Sequence, residues 1–293
     1  MTGTPTVLFC VGATKAGTSW LYRHLHRHPD CHLRSIKELH YFDMLESGTQ
    51  RRFRKLLRER IARLRAAIAD GNPRPSLERQ LRDALDWKAV IGAEGENLDA
   101  YLGYLSEGRG ARPLVADITP AYALLPETRL HRMAEVAPRT RFLYLLRDPV
   151  ARLWSQARML AARRMGDIAE FPALAARMMD SMLEAIRSGL RDREDYIGAI
   201  SRLRAAVAPD RLLIQFQDDM MTVPGLSRLQ AFLGISDIAG DFENRVHEGT
   251  PLALPDDLRA RARAVLAPQY QFVARHFPDL PGSWRQNMTE VHG

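Results

Sequence analysis

Hydrophobic and polar positions alternate between two rhythms along this chain. Short, nearly continuous apolar runs occur at residues 7–11, 114–117, 142–146 and 212–216. Runs of this length and purity predict strands of a parallel sheet covered on both faces. Between them, apolar residues recur at helical spacing. The pattern predicts helices over 17–28, 50–70, 76–87, 126–137, 167–189, 194–208, 226–233 and 256–277, the last interrupted near Pro268. Residues 31–36 read as short and extended, 37–43 as a loop or the start of a helix, and the glycine-rich 103–111 as a loop. Strands alternating with helices predict an α/β fold: a P-loop-like parallel β-sheet flanked by helices on both faces. The whole of 1–293 reads as a single domain, with a helical insertion at 46–112.

That insertion opens on a basic amphipathic helix over 50–70, whose apolar stripe is Phe53, Leu56, Leu57, Ile61, Leu64 and Ile68. It reads either as a lid or acceptor-binding element, with peripheral contact to an anionic membrane or saccharide, or as a helix with an arginine-rich solvent face. Gly71 to Pro75 breaks it.

The loop after the first strand reads Gly12-Ala-Thr-Lys15-Ala16-Gly17-Thr18-Ser19 and leads into Trp20, Leu21 and Leu25 at helical spacing. Strand, glycine-bounded loop, then helix gathers backbone N–H groups and a positive helix end around an anion. The two glycines sit five apart, as in a P-loop, but Thr18 stands where its lysine belongs and Lys15 lies inside the loop. This disfavours ordinary ATP or GTP hydrolysis and favours another phosphate-bearing donor. Lys15 and Arg147 both fall just past strand ends, where α/β sheets bind ligands.

Composition narrows the classes. The chain has 293 residues, 46% hydrophobic, with a net charge of +7, which suits an anionic ligand. The arginines are dispersed among alanines in helices, without a nucleic-acid-binding motif, which argues against nucleic acid. No apolar run is long enough for a membrane span. The N-terminal segment lacks a basic stretch and enters the first strand directly, so no signal peptide is expected. Cys10 and Cys31 are isolated, as in a reducing cytosol, so the expected location is cytoplasmic. His24 and His28 share a helix face but lack completing ligands nearby. They read as partly exposed helix residues, with no metal expected.

Four segments, in order, carry a resemblance: GATKAGTS; Lys37-Glu38-Leu39-His40-Tyr41-Phe42-Asp43; Asp117-Ile-Thr119-Pro120-Ala-Tyr122; and Arg147-Asp148-Pro149 continuing through Arg152 to Ser155. Together they resemble the sulfotransferases that use 3′-phosphoadenosine 5′-phosphosulfate (PAPS), especially the heparan-sulfate branch and its bacterial relatives. Two positions depart from those relatives: Ile118 replaces a frequent lysine, and His247 to Thr250 replaces a basic loop. Both bear on the acceptor more than on the donor. The resemblance implies metal-independent sulfuryl transfer to a hydroxyl or amine of a saccharide, lipid or small molecule, leaving adenosine 3′,5′-bisphosphate.

By the same resemblance Lys15 would stabilise the leaving phosphate, and Ala16, Gly17, Thr18 and Ser19 would hold the 5′-phosphate. Arg147 and Ser155 would hold the 3′-phosphate, helped by Arg152 unless that arginine is merely solvated, and Gly249 would lie in a loop over the adenosine. Glu38 would be the base, oriented by His40 and Asp43, with His40 itself as base the alternative. Lys37, Asp43, Thr119 and Tyr122 would meet the acceptor. Asp148 reads as a helix cap. A P-loop kinase and a noncatalytic binding protein of the same fold are the competing readings.

Overall fold

The computed structural model describes residues 3–70, 74–189, 192–243 and 250–289. Five strands form one parallel sheet: β1 (Thr6–Gly12), β2 (Cys31–His32), β3 (Leu114–Ile118), β4 (Thr140–Leu146) and β5 (Leu212–Phe216). Their order is β2-β3-β1-β4-β5. β1 lies at the centre, with Leu8 opposite Ala116 on one side and Arg141 on the other. Residues 7–12, 114–118 and 142–146 are buried throughout, as the unbroken apolar runs require of a sheet covered on both faces.

The helices, in chain order, are α1 (Thr18–Arg27), α2 (Tyr41–Glu46), α3 (Gln50–Ala69), α4 (Pro75–Gly92), α5 (Leu98–Ser106), α6 (Glu127–Ala134), α7 (Pro149–Arg164), α8 (Phe171–Arg187), α9 (Tyr196–Ala206), α10 (Gln217–Met220), α11 (Val223–Leu233), α12 (Asp256–His276) and α13 (Gly282–Thr289). Asp148 caps α7, its carboxylate accepting from the Ala151 N–H at 2.8 Å with Pro149 in the first turn.

Several elements differ from the sequence expectation. The glycine-rich 103–111 begins as helix: α5 runs to Ser106, because Asn97 caps it through Ala100 N–H and Tyr101, Tyr104 and Leu105 bury its face. Pro268 does not interrupt α12, which continues to His276. Proline deletes one backbone hydrogen bond, and burial of Leu266, Tyr270 and Val273 on either side keeps the helix in register. α13 was not expected; it is anchored by the fully buried Trp284 among Tyr196, Phe216 and Tyr270.

α2 to α5 lie between β2 and β3. Leu57, Ile61 and Leu64 of α3 and Trp87 of α4 join the main core, whereas Leu56 is exposed. Buried Arg34, just past β2, ties this region down. It pairs with Asp83 at 2.9 Å and with Asp86, both on α4, and lies over the Tyr104 ring.

Candidate active site

The β1–α1 loop, Ala13 to Gly17, is shaped by two left-handed residues, Lys15 (φ 69°) and Gly17 (φ 87°). Gly17 is also the N-cap of α1, and no side chain caps that helix. The amides of its first turn are therefore left for an anion. Ala16 differs from expectation: its N–H closes a turn onto the Ala13 carbonyl at 3.1 Å. The amides remaining for a phosphate are those of Gly17, Thr18 and Ser19. Gly12 is required by close approach, since a Cβ there would stand 2.4 Å from the Tyr144 ring.

Three cations converge on this loop. Arg147, at the end of β4, donates from Nη1 to the Lys15 carbonyl at 2.8 Å. Arg152 reaches the Thr14 carbonyl at 3.4 Å. Lys37 Nζ lies 3.3 Å from Thr18 Oγ1. Among the described residues the Lys15 ammonium has one polar-atom contact, Met159 Sδ at 3.8 Å. Ser155 lies between Arg152 and Met159 on one stripe of α7 (i, i+3, i+7). Neither Lys15 nor Arg147 has a carboxylate partner among the described residues. Burial lowers the Lys15 pKa, and the charges of Arg147, Arg158, Arg163 and Lys37 lower it further. Burial likewise lowers that of Arg147, with Arg158 adding to the effect and Tyr196 opposing it. Crowded, unneutralised cations at a helix N-terminus make an anion site.

Arg152 corrects its expectation. It is buried, not solvated, and pairs with buried Glu194 at 3.2 Å, so it supports the loop from beneath.

A second group of side chains adjoins the loop. Lys37 Nζ is 2.7 Å from Glu38 Oε1. His40 lies between two carboxylates, with Nδ1 2.7 Å from Asp43 and Nε2 3.5 Å from Glu38. Phe53 of α3 packs on the imidazole, ring centres 4.7 Å apart. Burial opposes the charged imidazole, but the bonds to Asp43 and Glu38 outweigh it and raise the His40 pKa to about 9. Burial would raise the Glu38 pKa; His40 and Lys37 reverse this and bring it to about 2. At neutral pH the ring is an imidazolium between two carboxylates.

Thr119 and Tyr122 do not line a cleft. Both are fully buried, and each donates its hydroxyl to Asp117, at 2.6 and 2.8 Å. Asp43 is engaged with His40. His24 and His28 are buried rather than partly exposed, His28 against the Ser236 carbonyl. No cluster of three or more metal-ligating side chains is present among the described residues. Gly249 lies outside the described residues. Sequence reasoning missed Asp117, whose signal was a carboxylate inside an otherwise apolar strand. It also missed Trp20, whose indole N–H holds the Asp241 carbonyl at 2.8 Å.

A parallel sheet of this order, with a cationic loop at the carboxyl end of its central strand, defines a protein of the P-loop-like α/β class. Residues 5–236 match the model of the sulfotransferase family. The chain belongs to that family and is a sulfotransferase. Among solved structures, it is similar to a sulfotransferase from Alicyclobacillus acidocaldarius (20% identity, 97% of this chain and 99% of that one, TM-score 0.60). It is also similar to the sulfotransferase domain of the Synechococcus PCC 7002 olefin synthase (19% identity, 96% and 98%, TM-score 0.47). The first likeness extends the fold over nearly the whole chain. A search of curated proteins finds no match.

Proposed function

We propose that this sulfotransferase takes its sulfuryl group from PAPS and passes it, by in-line displacement, to a hydroxyl or amine of a saccharide, lipid or small-molecule acceptor. The observation that carries this reading is the meeting of Lys15 and Arg147, both without a carboxylate partner among the described residues, at the uncapped start of α1. A donor with phosphates at both ends of its ribose fits two cations on one loop.

Bound PAPS supplies the sulfuryl group and departs as adenosine 3′,5′-bisphosphate. Gly17, Thr18 and Ser19 hold the 5′-phosphate, Lys15 stabilises charge growing on it, and Arg147 with Ser155 holds the 3′-phosphate. Glu38 takes the proton from the acceptor as its oxygen or nitrogen attacks sulfur. His40 already carries a proton at neutral pH and has none to accept, so it orients Glu38 and is in turn held by Asp43. Catalysis is then mostly positioning and charge stabilisation, by analogy with phosphoryl transfer. No step calls on a metal.

α3 supports an anionic acceptor or surface. It carries seven arginines and one lysine against one glutamate, a net +7 equal to that of the entire chain. Arg51, Arg58 and Arg65 are exposed and seven residues apart, so they share one face. Two buried free cysteines support a cytoplasmic location. No helix among the described residues is long and apolar enough to cross a membrane.

The test is calorimetric titration with adenosine 3′,5′-bisphosphate, against ADP with and without Mg²⁺. Metal-independent binding of the bisphosphate, weakened in Arg147→Ala, is expected. Preference for ADP with Mg²⁺ would overturn the donor assignment.

A further inference from the structure

The Asp117 carboxylate, on β3, is 1% exposed. It has no ion-pair partner within 4 Å among the described residues. Three hydroxyls donate to it instead: Thr119 to Oδ1 at 2.6 Å, and Tyr122 and Tyr101 to Oδ2, both at 2.8 Å. Tyr101 comes from α5, so the carboxylate joins the sheet to the helices between β2 and β3.

Two of these hydroxyls do a second thing. Thr119 Oγ1 accepts from the Leu39 N–H at 3.0 Å, and the Tyr122 oxygen accepts from the Tyr41 N–H at 2.9 Å. The residue between those two amides is His40, held at φ 55°. A β-carbon disfavours that conformation, which persists only where the surroundings impose it. The polarity of the network is forced. An ionised carboxylate only accepts, so both hydroxyl protons must turn toward Asp117. Their lone pairs must then turn toward the two amides.

We propose that Asp117 is a positioning residue: through Thr119 and Tyr122 it clamps the backbone on both sides of His40 and so sets the imidazole between Glu38 and Asp43. An Asn in its place would donate from one side. The hydroxyl facing that amide nitrogen would then have to turn its proton away from residue 117, into a buried position with no second acceptor among the described residues, which loosens the clamp on Leu39 or Tyr41. The clamp bears on the acceptor half of the site and leaves the β1–α1 loop alone. This role rests on the assignment of Glu38 and His40 to proton transfer.

The experiment follows the ring, so it needs no acceptor. The His40 imidazole is titrated by NMR in protein labelled at histidine, with His40→Gln identifying the signal. Thr119→Val and Tyr122→Phe are the decisive variants, because they keep the Asp117 carboxyl group itself and close to the original volume. The charged groups facing the ring are Glu38, Asp43 and, from β3, Asp117. In the neutral variants Glu38 and Asp43 persist, while loss of a hydroxyl donor raises the Asp117 pKa. The Asp117 carboxyl is therefore titrated in the same samples, and a His40 shift at pH values where Asp117 is still ionised comes through the backbone. In each, the His40 pKa is expected to fall from about 9 toward the ordinary 6.5, and further in Asp117→Asn. Binding of adenosine 3′,5′-bisphosphate should stay within two-fold or so of wild type. With a transferable acceptor in hand, kcat should drop roughly ten-fold or more while the KM for donor holds.

If His40 titrates as in wild type in both neutral variants, the clamp is refuted, whatever becomes of Asp117→Asn. If Asp117→Asn fails to fold, the neutral variants still decide. Failure of wild type to bind the bisphosphate would instead overturn the donor assignment, and the histidine titration would stand apart from it.

Discussion

His40 should make the stability of this protein depend on pH in a way that its glutamine variant does not. The folded-state pKa is raised from 6.5 to about 9. The folded state therefore holds a proton that the unfolded chain releases above pH 6.5. The stabilisation is fully present below pH 6.5, falls as pH rises, and is gone once pH has passed 9. The full shift corresponds to about 3 kcal/mol at 1.36 kcal/mol per pH unit. The side chain is 23% exposed and its partner Glu38 42% exposed, so solvent screening trims this to roughly 2 kcal/mol. Asp117, whose pKa burial raises to about 6, is still half protonated at the acid end of this window, but it is present in wild type and variant alike and drops out of the comparison. The assay is urea unfolding at intervals from pH 6 to 9.5, for wild type and His40→Gln. Wild type should lose about 2 kcal/mol more than the variant over that range. Parallel curves would refute the imidazolium, and with it the argument that Glu38 rather than His40 takes the acceptor's proton.

Three further outcomes follow from the same geometry. Glu194→Gln strands the buried Arg152 charge, and should cost about 3–5 kcal/mol, or roughly 5–8 °C in Tm for a chain of this size; a calorimetric loss under about 1 kcal/mol would contradict the pairing. Gly17→Ala forces a β-carbon into φ 87° and to within 3.1 Å of Met220 Cε. It should destabilise by roughly 1–2 kcal/mol and weaken bisphosphate affinity in the same preparation, whereas an unchanged Kd would detach this loop from the donor. Lys15→Ala should slow release of adenosine 3′,5′-bisphosphate from PAPS in the presence of acceptor by roughly 10²–10³-fold, with product affinity changed far less; equal losses in both would mean that Lys15 binds the donor without favouring the transition state.

What could be read in the sequence, and what could not, divides along range. β1, β3, β4 and β5 were legible because a strand buried on both faces must be apolar throughout. The β1–α1 turn was legible because its pattern is local: a glycine before, a glycine after, a lysine between. Thr119 and Tyr122 were misread for the opposite reason. The resemblance assigned them to the acceptor, but their partners, Leu39 and Tyr41, are 80 and 81 residues away. Nothing in a local pattern shows a hydroxyl whose acceptor and donor come from different parts of the chain. The left-handed conformations of Lys15 and His40 were equally hidden, because neither is the glycine that usually marks such a turn. Gly103 and Pro268 misled in the other direction. Each disfavours helix by itself, and each is overruled by burial of its neighbours.

The two halves of the site differ in their charge, and the difference suits their tasks. Around Lys15 and Arg147 no carboxylate partner stands among the described residues, which suits the polyanionic donor proposed above. Around His40 the charges are matched once Lys37 is counted, an imidazolium and an ammonium against two carboxylates, and this keeps Glu38 ionised and fixed in direction. Were the halves independent, the excess positive charge of the first would draw the carboxylate of the second toward it. Lys37 stands between them, 3.3 Å from Thr18 and 2.7 Å from Glu38. It supplies Glu38 with a near cation, so the carboxylate is held where it is instead of collapsing onto Lys15. In the proposed mechanism one lysine thus separates the group that binds an anion from the group that must remain one.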